Sequence, residues 1–254
     1  MQGRTALVTG AGTGIGQGIA IELGRAGYDV VVHYNGSKDG AEEAVCKIVA
    51  SGQRAKAIQA DLTDMEQLNH LFQESLDFLG SVTLYVNNSG ITKGSPFSET
   101  TPELFDQLIS IDLKSAYFCV QKAANSMVER NIKGNIVVIT SNNAMMQRCN
   151  VSVYGMMKAA LVKMVKHAAI EYAKDGIRVN SIAPGWTATP RVLHDNDEKK
   201  VVSTIPLKRM ALPEEIGKMV LFYASDAASS ITGNCLVADG GFLLLADEPK
   251  AYGL

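Results

Sequence analysis

Residues 5–16 read TALVTGAGTGIG, an apolar run followed by glycines at positions 10, 12, 14 and 16. Glycines crowded behind a strand-like run suggest a dinucleotide phosphate loop. Yet no register satisfies G-x-G-x-x-G, because Ile15, Gln17 and Ile19 stand where a third glycine would fall. The spacing from Gly10 to Gly16 is instead G-x-x-x-G-x-G. Phosphate binding there needs a tight turn, close backbone approach and free N–H groups at a helix N-terminus. A strand ending near Gly10 and a helix beginning near Gly16 meet those needs with a longer turn. Gly12 and Gly18 are extra, and Gly18 reads as a place where helix and sheet pack closely. Alone, the cluster also fits a passive turn, so the rest of the chain has to decide.

The hydrophobic rhythm decides the fold. Strand-like runs occur at 5–9, 28–34, 54–60, 82–87, 135–140, 177–183 and 234–238, with amphipathic stretches between them, for example 41–51, 64–79, 103–130 and 153–174. Strand–helix alternation at this spacing predicts right-handed βαβ units, and the nearly all-apolar strands suit a parallel sheet buried on both sides. The expectation is an α/β fold, one Rossmann-like, doubly wound domain over 1–254 with a seven-stranded parallel sheet and helices on both faces. One stretch departs from the rhythm: 186–211, WTATPRVLHDNDEKKVVSTIPLKRMA, long, charged in its middle and following a strand end. Long irregular segments in compact domains are commonly functional, and ligands bind beyond the carboxyl ends of such strands, so 186–211 is read as a substrate lid.

Composition narrows the partners. A net charge of −2 over 254 residues gives no electrostatic argument for nucleic acid or an anionic membrane. No apolar run is long enough to span a bilayer, and the N-terminal residues show no signal-peptide pattern. Cys46, Cys119, Cys149 and Cys235 are scattered, without C-x-x-C or paired histidines, which argues against a zinc site or disulfide framework and fits a reducing cytoplasm. No metal is expected.

Further motifs fall at the predicted strand ends or just beyond: NNSG at 87–90, TS at 140–141, YGMMK at 154–158 and PGWTAT at 184–189. Together with T-G-x-x-x-G-I-G at 9–16, and with the separations of Ser141, Tyr154 and Lys158, the chain resembles the short-chain dehydrogenase/reductase family over essentially its whole length. The resemblance implies hydride transfer between a nicotinamide cofactor and a carbonyl or secondary alcohol.

Tyr154 and Lys158 stand at i and i+4 on a predicted helix and share a face. A free phenol titrates near ~10 and is a weak acid–base catalyst at neutral pH, and a nearby ammonium favours its ionised form. The resemblance makes Tyr154 the proton donor and acceptor, Lys158 its tuning charge and a ribose ligand, and Ser141 the hydroxyl that orients the substrate oxygen. A hydrolase role for Ser141 lacks a Ser-His-Asp set and a G-x-S-x-G elbow. Asp112 departs from the family, which has asparagine there to anchor a water in a proton relay to the lysine. Aspartate would strengthen the ionised lysine and remove amide donors; a purely structural Asp112 paired with a nearby cation is the alternative.

By position, the resemblance puts Gly10, Thr13, Gly14, Ile15 and Gly16 around the pyrophosphate and adenosine end. Asp61 and Leu62 would flank adenine, Asn88 the ribose, and Pro184, Thr187 and Thr189 the carboxamide and pyrophosphate. NAD users carry an acid at the end of strand 2; here HYNGSK at 33–38 has none. Asn35 and Ser37, with Lys38 nearby, would accept a 2′-phosphate, so NADP is the preferred cofactor and NAD the alternative. Asn142, Asn143, Gln147 and Arg148 suggest a polar substrate pocket. Met145, Met146, Met156 and Trp186 suggest an adaptable apolar one. Sugars, hydroxy acids, ketoacyl chains and steroids all stay open. The stretch 153–174 is apolar or small on more than one face, beyond what packing on one sheet requires. Burial against another subunit is expected, a homotetramer by resemblance. The competing function is a cofactor-binding sensor or interaction protein on the same fold.

Overall fold

The computed structural model describes residues 3–245. Seven strands form one parallel sheet: β1 (Thr5–Val8), β2 (Asp29–Tyr34), β3 (Ala55–Gln59), β4 (Leu84–Asn87), β5 (Asn135–Ile139), β6 (Arg178–Pro184) and β7 (Cys235–Ala238). Their order is β3-β2-β1-β4-β5-β6-β7, and every pairing is parallel. All seven strands lie where the apolar runs placed them, to within two residues at each end. The chain runs outward from β1 to β3, then returns to β4 on the other side of β1. Ligands of doubly wound sheets bind at this reversal, beyond the carboxyl ends. Register brings those ends level: Val8 pairs with both Val32 and Val86, and Ile139 with Ile182.

The strands read as continuous apolar runs because both faces are covered. Leu7, Val31, Tyr85 and Ile136 face one core, packed by α3 (Met65–Leu79) and α5 (Ser115–Glu129). Ala6, Val8, Val30, Val32 and Leu84 face the other, packed by α1 (Gly14–Arg25), α2 (Lys38–Ala50) and α9 (Pro213–Ala224). Each fully buried Leu or Val contributes roughly 1.5–3 kcal/mol relative to exposure, so neither face could be left open to water. Gly18 corrects an expectation: a side chain there would strike Pro213 at the start of α9. The glycine serves helix–helix packing rather than helix on sheet.

The predicted helix 103–130 is helical throughout but not uniform. It consists of α4 (Pro102–Leu108), a wider π turn at Ile109–Lys114, and α5. The predicted 153–174 helix is α6 (Ser152–Tyr172), finished by a short 3-10 turn. The segment 186–211 is not irregular. It holds α7 (Pro190–Asp195) and α8 (Glu198–Ser203), whose N-caps Thr189 and Asp197 accept from Val192 N and Lys200 N. Val201, Ile205 and Met210 form a small core of their own with Trp186, Val192 and Phe242. Ala188 N donates to Ala211 O and Ala211 N to Trp186 O, cinching the base of the segment shut.

Candidate active site

The glycine loop crosses from β1 into α1 with Gly10 at φ +61° and Gly14 at φ +57°, the left-handed region that favours glycine. At Gly16 a Cβ would collide with Gly10 O and Asn88 Nδ2, so the helix starts hard against the loop. Asn88 holds this arrangement from β4, its Nδ2 donating to Thr9 O at 3.1 Å and Gly10 O at 3.0 Å. Thr13, the N-cap of α1, makes no side-chain cap bond, and Ser37, the N-cap of α2, makes none either. Two helices therefore begin at the cleft with first-turn N–H groups not taken by their own caps. That is the donor set an anionic phosphate requires.

His33, which sequence reasoning left without a role, cross-links this region. It is 2% exposed; Gly10 N donates to its Nδ1 at 3.1 Å, and its Nε2 lies 3.0 Å from Ala60 O. A single neutral tautomer satisfies both bonds, with Nδ1 as acceptor and Nε2–H as donor. Burial, opposed by Ala60 and Asp61, lowers its pKa to about 4. The signal was present in the sequence: a lone histidine inside a doubly buried strand has to be hydrogen-bonded on both nitrogens.

One cleft of about 680 Å³ is lined by Gly10, Thr13, Asn35, Ser37, Asp61, Leu62 and Asn88. Asp61 Oδ1 accepts from Thr63 N and Oγ1, turning the chain at the end of β3. A continuing cavity of about 300 Å³ touches Gly10, Thr13, Gly14, Ile15 and Asn88, then Ser141, Tyr154 and Lys158, and also Pro184, Thr187 and Thr189. Gly16 lies buried behind the loop. A third pocket, about 610 Å³, shares Ser141 and Tyr154 and extends to Asn142, Asn143, Met146, Arg148, Trp186 and α7–α8. Arg148 lies over the Trp186 ring, 4.7 Å from its centroid. Of the other residues proposed for the substrate pocket, Gln147 and Met156 line a separate cavity with Met146 and Arg148, and Met145 is exposed.

Lys158 sits one turn after Tyr154, its Nζ 5.4 Å from the phenol ring centroid. The lysine is 4% exposed and Asp112 is fully buried; their Nζ–Oδ1 separation is 3.1 Å. Oδ1 has this ion contact without a directed hydrogen bond, while Oδ2 accepts from Ile91 N at 3.3 Å. Asp112 is thus paired with a cation, and that cation is Lys158 itself. Burial pushes the Asp112 carboxyl up, against the opposing pull of Lys158 and Ile91 N–H. Burial alone would lower the Lys158 ammonium, but attraction to Tyr154 and Asp112 outweighs it and holds the group raised. Gly90 is needed beside the pair, because a Cβ there would run into Asp112 Oδ1. The π turn at 109–114 carries Asp112 inward, a use to which such turns are commonly put near functional sites.

A glycine loop with free helix-start N–H groups lies at one end of a continuous crevice and a serine, tyrosine and lysine at the other, an arrangement that suits nucleotide-dependent oxidoreduction. Comparison with known proteins agrees. Residues 10–243 match the family model described as Enoyl-(Acyl carrier protein) reductase. The 3-oxoacyl-[acyl-carrier-protein] reductase of Staphylococcus epidermidis is 37% identical over 243 residues, covering 95% of this chain and 99% of that protein. A putative short-chain alcohol dehydrogenase from Sinorhizobium meliloti superposes with TM-score 0.90 at 35% identity, covering 97% of this chain and 98% of that one. An acetoin dehydrogenase from Enterobacter cloacae does so with TM-score 0.90 at 31% identity and 98% coverage of each. The chain belongs to the short-chain dehydrogenase/reductase family, and its general activity is NAD(P)(H)-dependent oxidoreduction of carbonyl and alcohol substrates. Among the described residues, no helix is long and apolar enough to cross a membrane.

Proposed function

We propose that the protein is an NADP(H)-preferring ketoreductase or alcohol dehydrogenase acting on a carbonyl or secondary alcohol substrate. The observation that carries this reading is the shared wall: Ser141 and Tyr154 border both the cofactor cavity and the pocket beyond it. A substrate oxygen on that wall meets both hydroxyls while its carbon faces the cofactor side. The nicotinamide, when bound, supplies or accepts the hydride. Ser141 orients the substrate oxygen, and Tyr154 gives it a proton in reduction or takes one in oxidation. Lys158, held charged by Asp112, keeps positive potential beside the Tyr154 ring and reaches the ribose. Residues 186–211 are the proposed lid over the pocket, supported by the packing of Val201, Ile205 and Met210 with Trp186 and Val192 and by their closed base.

Support for NADP comes from the end of β2, where Asn35 and Ser37 line the adenosine-side cleft with no acid from His33 to Lys38. The uncapped start of α2 adds N–H donors for a 2′-phosphate. A homotetramer is the proposed assembly, supported by apolar exposure on α5 and α6, where Tyr117 is 50% and Ile170 78% exposed. The relatives' names differ in substrate, so the test is a turnover screen. An α-hydroxy ketone, a ketoacyl thioester and a sugar acid, each assayed with NADPH and NADH, should yield NADPH-dependent reduction of at least one. Reduction of none, with tight NADPH binding, would favour a cofactor sensor.

A further inference from the structure

Ser141 caps the short 3-10 turn Asn142–Ala144, and its Oγ accepts from Asn143 N at 3.2 Å. The same oxygen also accepts from the side-chain amide Asn143 Nδ2 at 3.2 Å. A serine hydroxyl has two acceptor lone pairs and one donor hydrogen. Asn143 therefore occupies both lone pairs and leaves only the O–H to serve. With Asn142 Oδ1 facing it, the amide points this way: Asn143 Nδ2 also donates to that oxygen at 3.3 Å. Turned over, the amide would set two carbonyl oxygens against each other. The chosen orientation leaves Asn143 Oδ1 buried without a hydrogen-bond partner.

We infer that Asn143 is a positioning residue that makes Ser141 a one-way donor to the reacting substrate oxygen. The inference rests on the oxidoreductase reading of the same wall. A freely rotating serine could either donate to a carbonyl oxygen or accept from an alcohol. With both lone pairs filled, Ser141 polarises a carbonyl and stabilises the negative charge that builds on its oxygen as hydride arrives. In the reverse direction it donates to the alcohol oxygen, leaving the alcohol proton to Tyr154 alone. The two hydroxyls at the wall thus have distinct tasks.

The test compares Asn143→Asp with Asn143→Ala. Aspartate matches asparagine in shape but presents only acceptor oxygens, so Ser141 O–H turns towards it and away from substrate. Losing one preorganised donor typically costs about 100–1,000-fold in kcat, so Asn143→Asp should lower kcat for carbonyl reduction by roughly two orders of magnitude. Lowering the pH until the new carboxyl is protonated should recover part of that loss. Asn143→Ala keeps the backbone N–H on Ser141 and should lose about tenfold or less. NADPH affinity should hold in both. If Asn143 only supports the fold, the isosteric aspartate is the milder change. An aspartate variant at least as active as the alanine one, or a loss independent of pH, would overturn the inference. Absence of hydride transfer in the unaltered protein would sink the functional reading and this inference with it.

Discussion

Replacing Asp112 with asparagine removes one charge from a fully buried pair and leaves the shape nearly unchanged. The separation of 3.1 Å at an effective dielectric of about 20 corresponds to a Coulomb attraction of roughly 5 kcal/mol. The asparagine dipole and local relaxation return part of it, and opposite charges in such contacts shift a pKa by about one to three units. Lys158 is now raised because Tyr154 and Asp112 outweigh burial. Without the carboxylate, burial gains ground, and the lysine should titrate lower. The alkaline limbs of kcat/KM and of NADPH affinity should move down with it. The sign for stability follows: a raised lysine stabilises the fold below its unfolded pKa, and that contribution fades as pH rises through the folded value. The variant should therefore be less stable through neutral pH, with the difference narrowing as pH rises past the lysine's ordinary pKa. Asparagine can satisfy only one of its two facing donors, Lys158 or Ile91 N–H, which adds about 1–3 kcal/mol of loss. Rate profiles from pH 6 to 10.5, NADPH titrations and thermal melts would measure this. An alkaline limb and melting temperature both indistinguishable from the unaltered protein would refute a charged Asp112 acting on Lys158.

Three further outcomes are expected. His33, lowered to about 4, favours the fold above its ordinary pKa and withdraws that support as pH falls from about 6.5 towards 4. The loss is on the order of 3 kcal/mol, so urea melts across that window should steepen with acid and flatten in His33→Gln; equal pH dependence would count against the cross-link. Tyr34→Asp, at the end of β2 beside the cofactor cleft, should reverse a preference for NADPH into one for NADH, because the carboxylate repels a 2′-phosphate and accepts ribose hydroxyls. Tighter NADH binding by the unaltered protein would overturn the NADP assignment. Sedimentation at micromolar concentration should show a tetramer, and Ile170→Glu, on the exposed face of α6, should dissociate it; a monomer would refute the assembly.

The strands were legible because a parallel sheet buried on both sides demands short apolar runs, and these alternate with amphipathic stretches along the chain. The glycine loop was legible from its place between strand and helix. The π turn was not, since one widened turn hardly disturbs apolar spacing across 103–130; an influence of Asp112 on the lysine was legible, but not the turn that brings the two to 3.1 Å. The helices α7 and α8 were masked by their charged middle, although Thr189-Pro190 and Asp197-Glu198 are ordinary helix starts. Asn143 carried a polar-pocket reading, but its grip on Ser141 depends on a tight turn that composition does not reveal.

Transfer of label from NADPH deuterated at the nicotinamide C4 tests the central claim most directly. Mass spectrometry of the product should find deuterium on the former carbonyl carbon. Tyr154→Phe should cut that transfer at least about a hundredfold, the usual scale for losing a general acid, while NADPH still binds. Undiminished transfer by Tyr154→Phe, or product formed without deuterium, would contradict it.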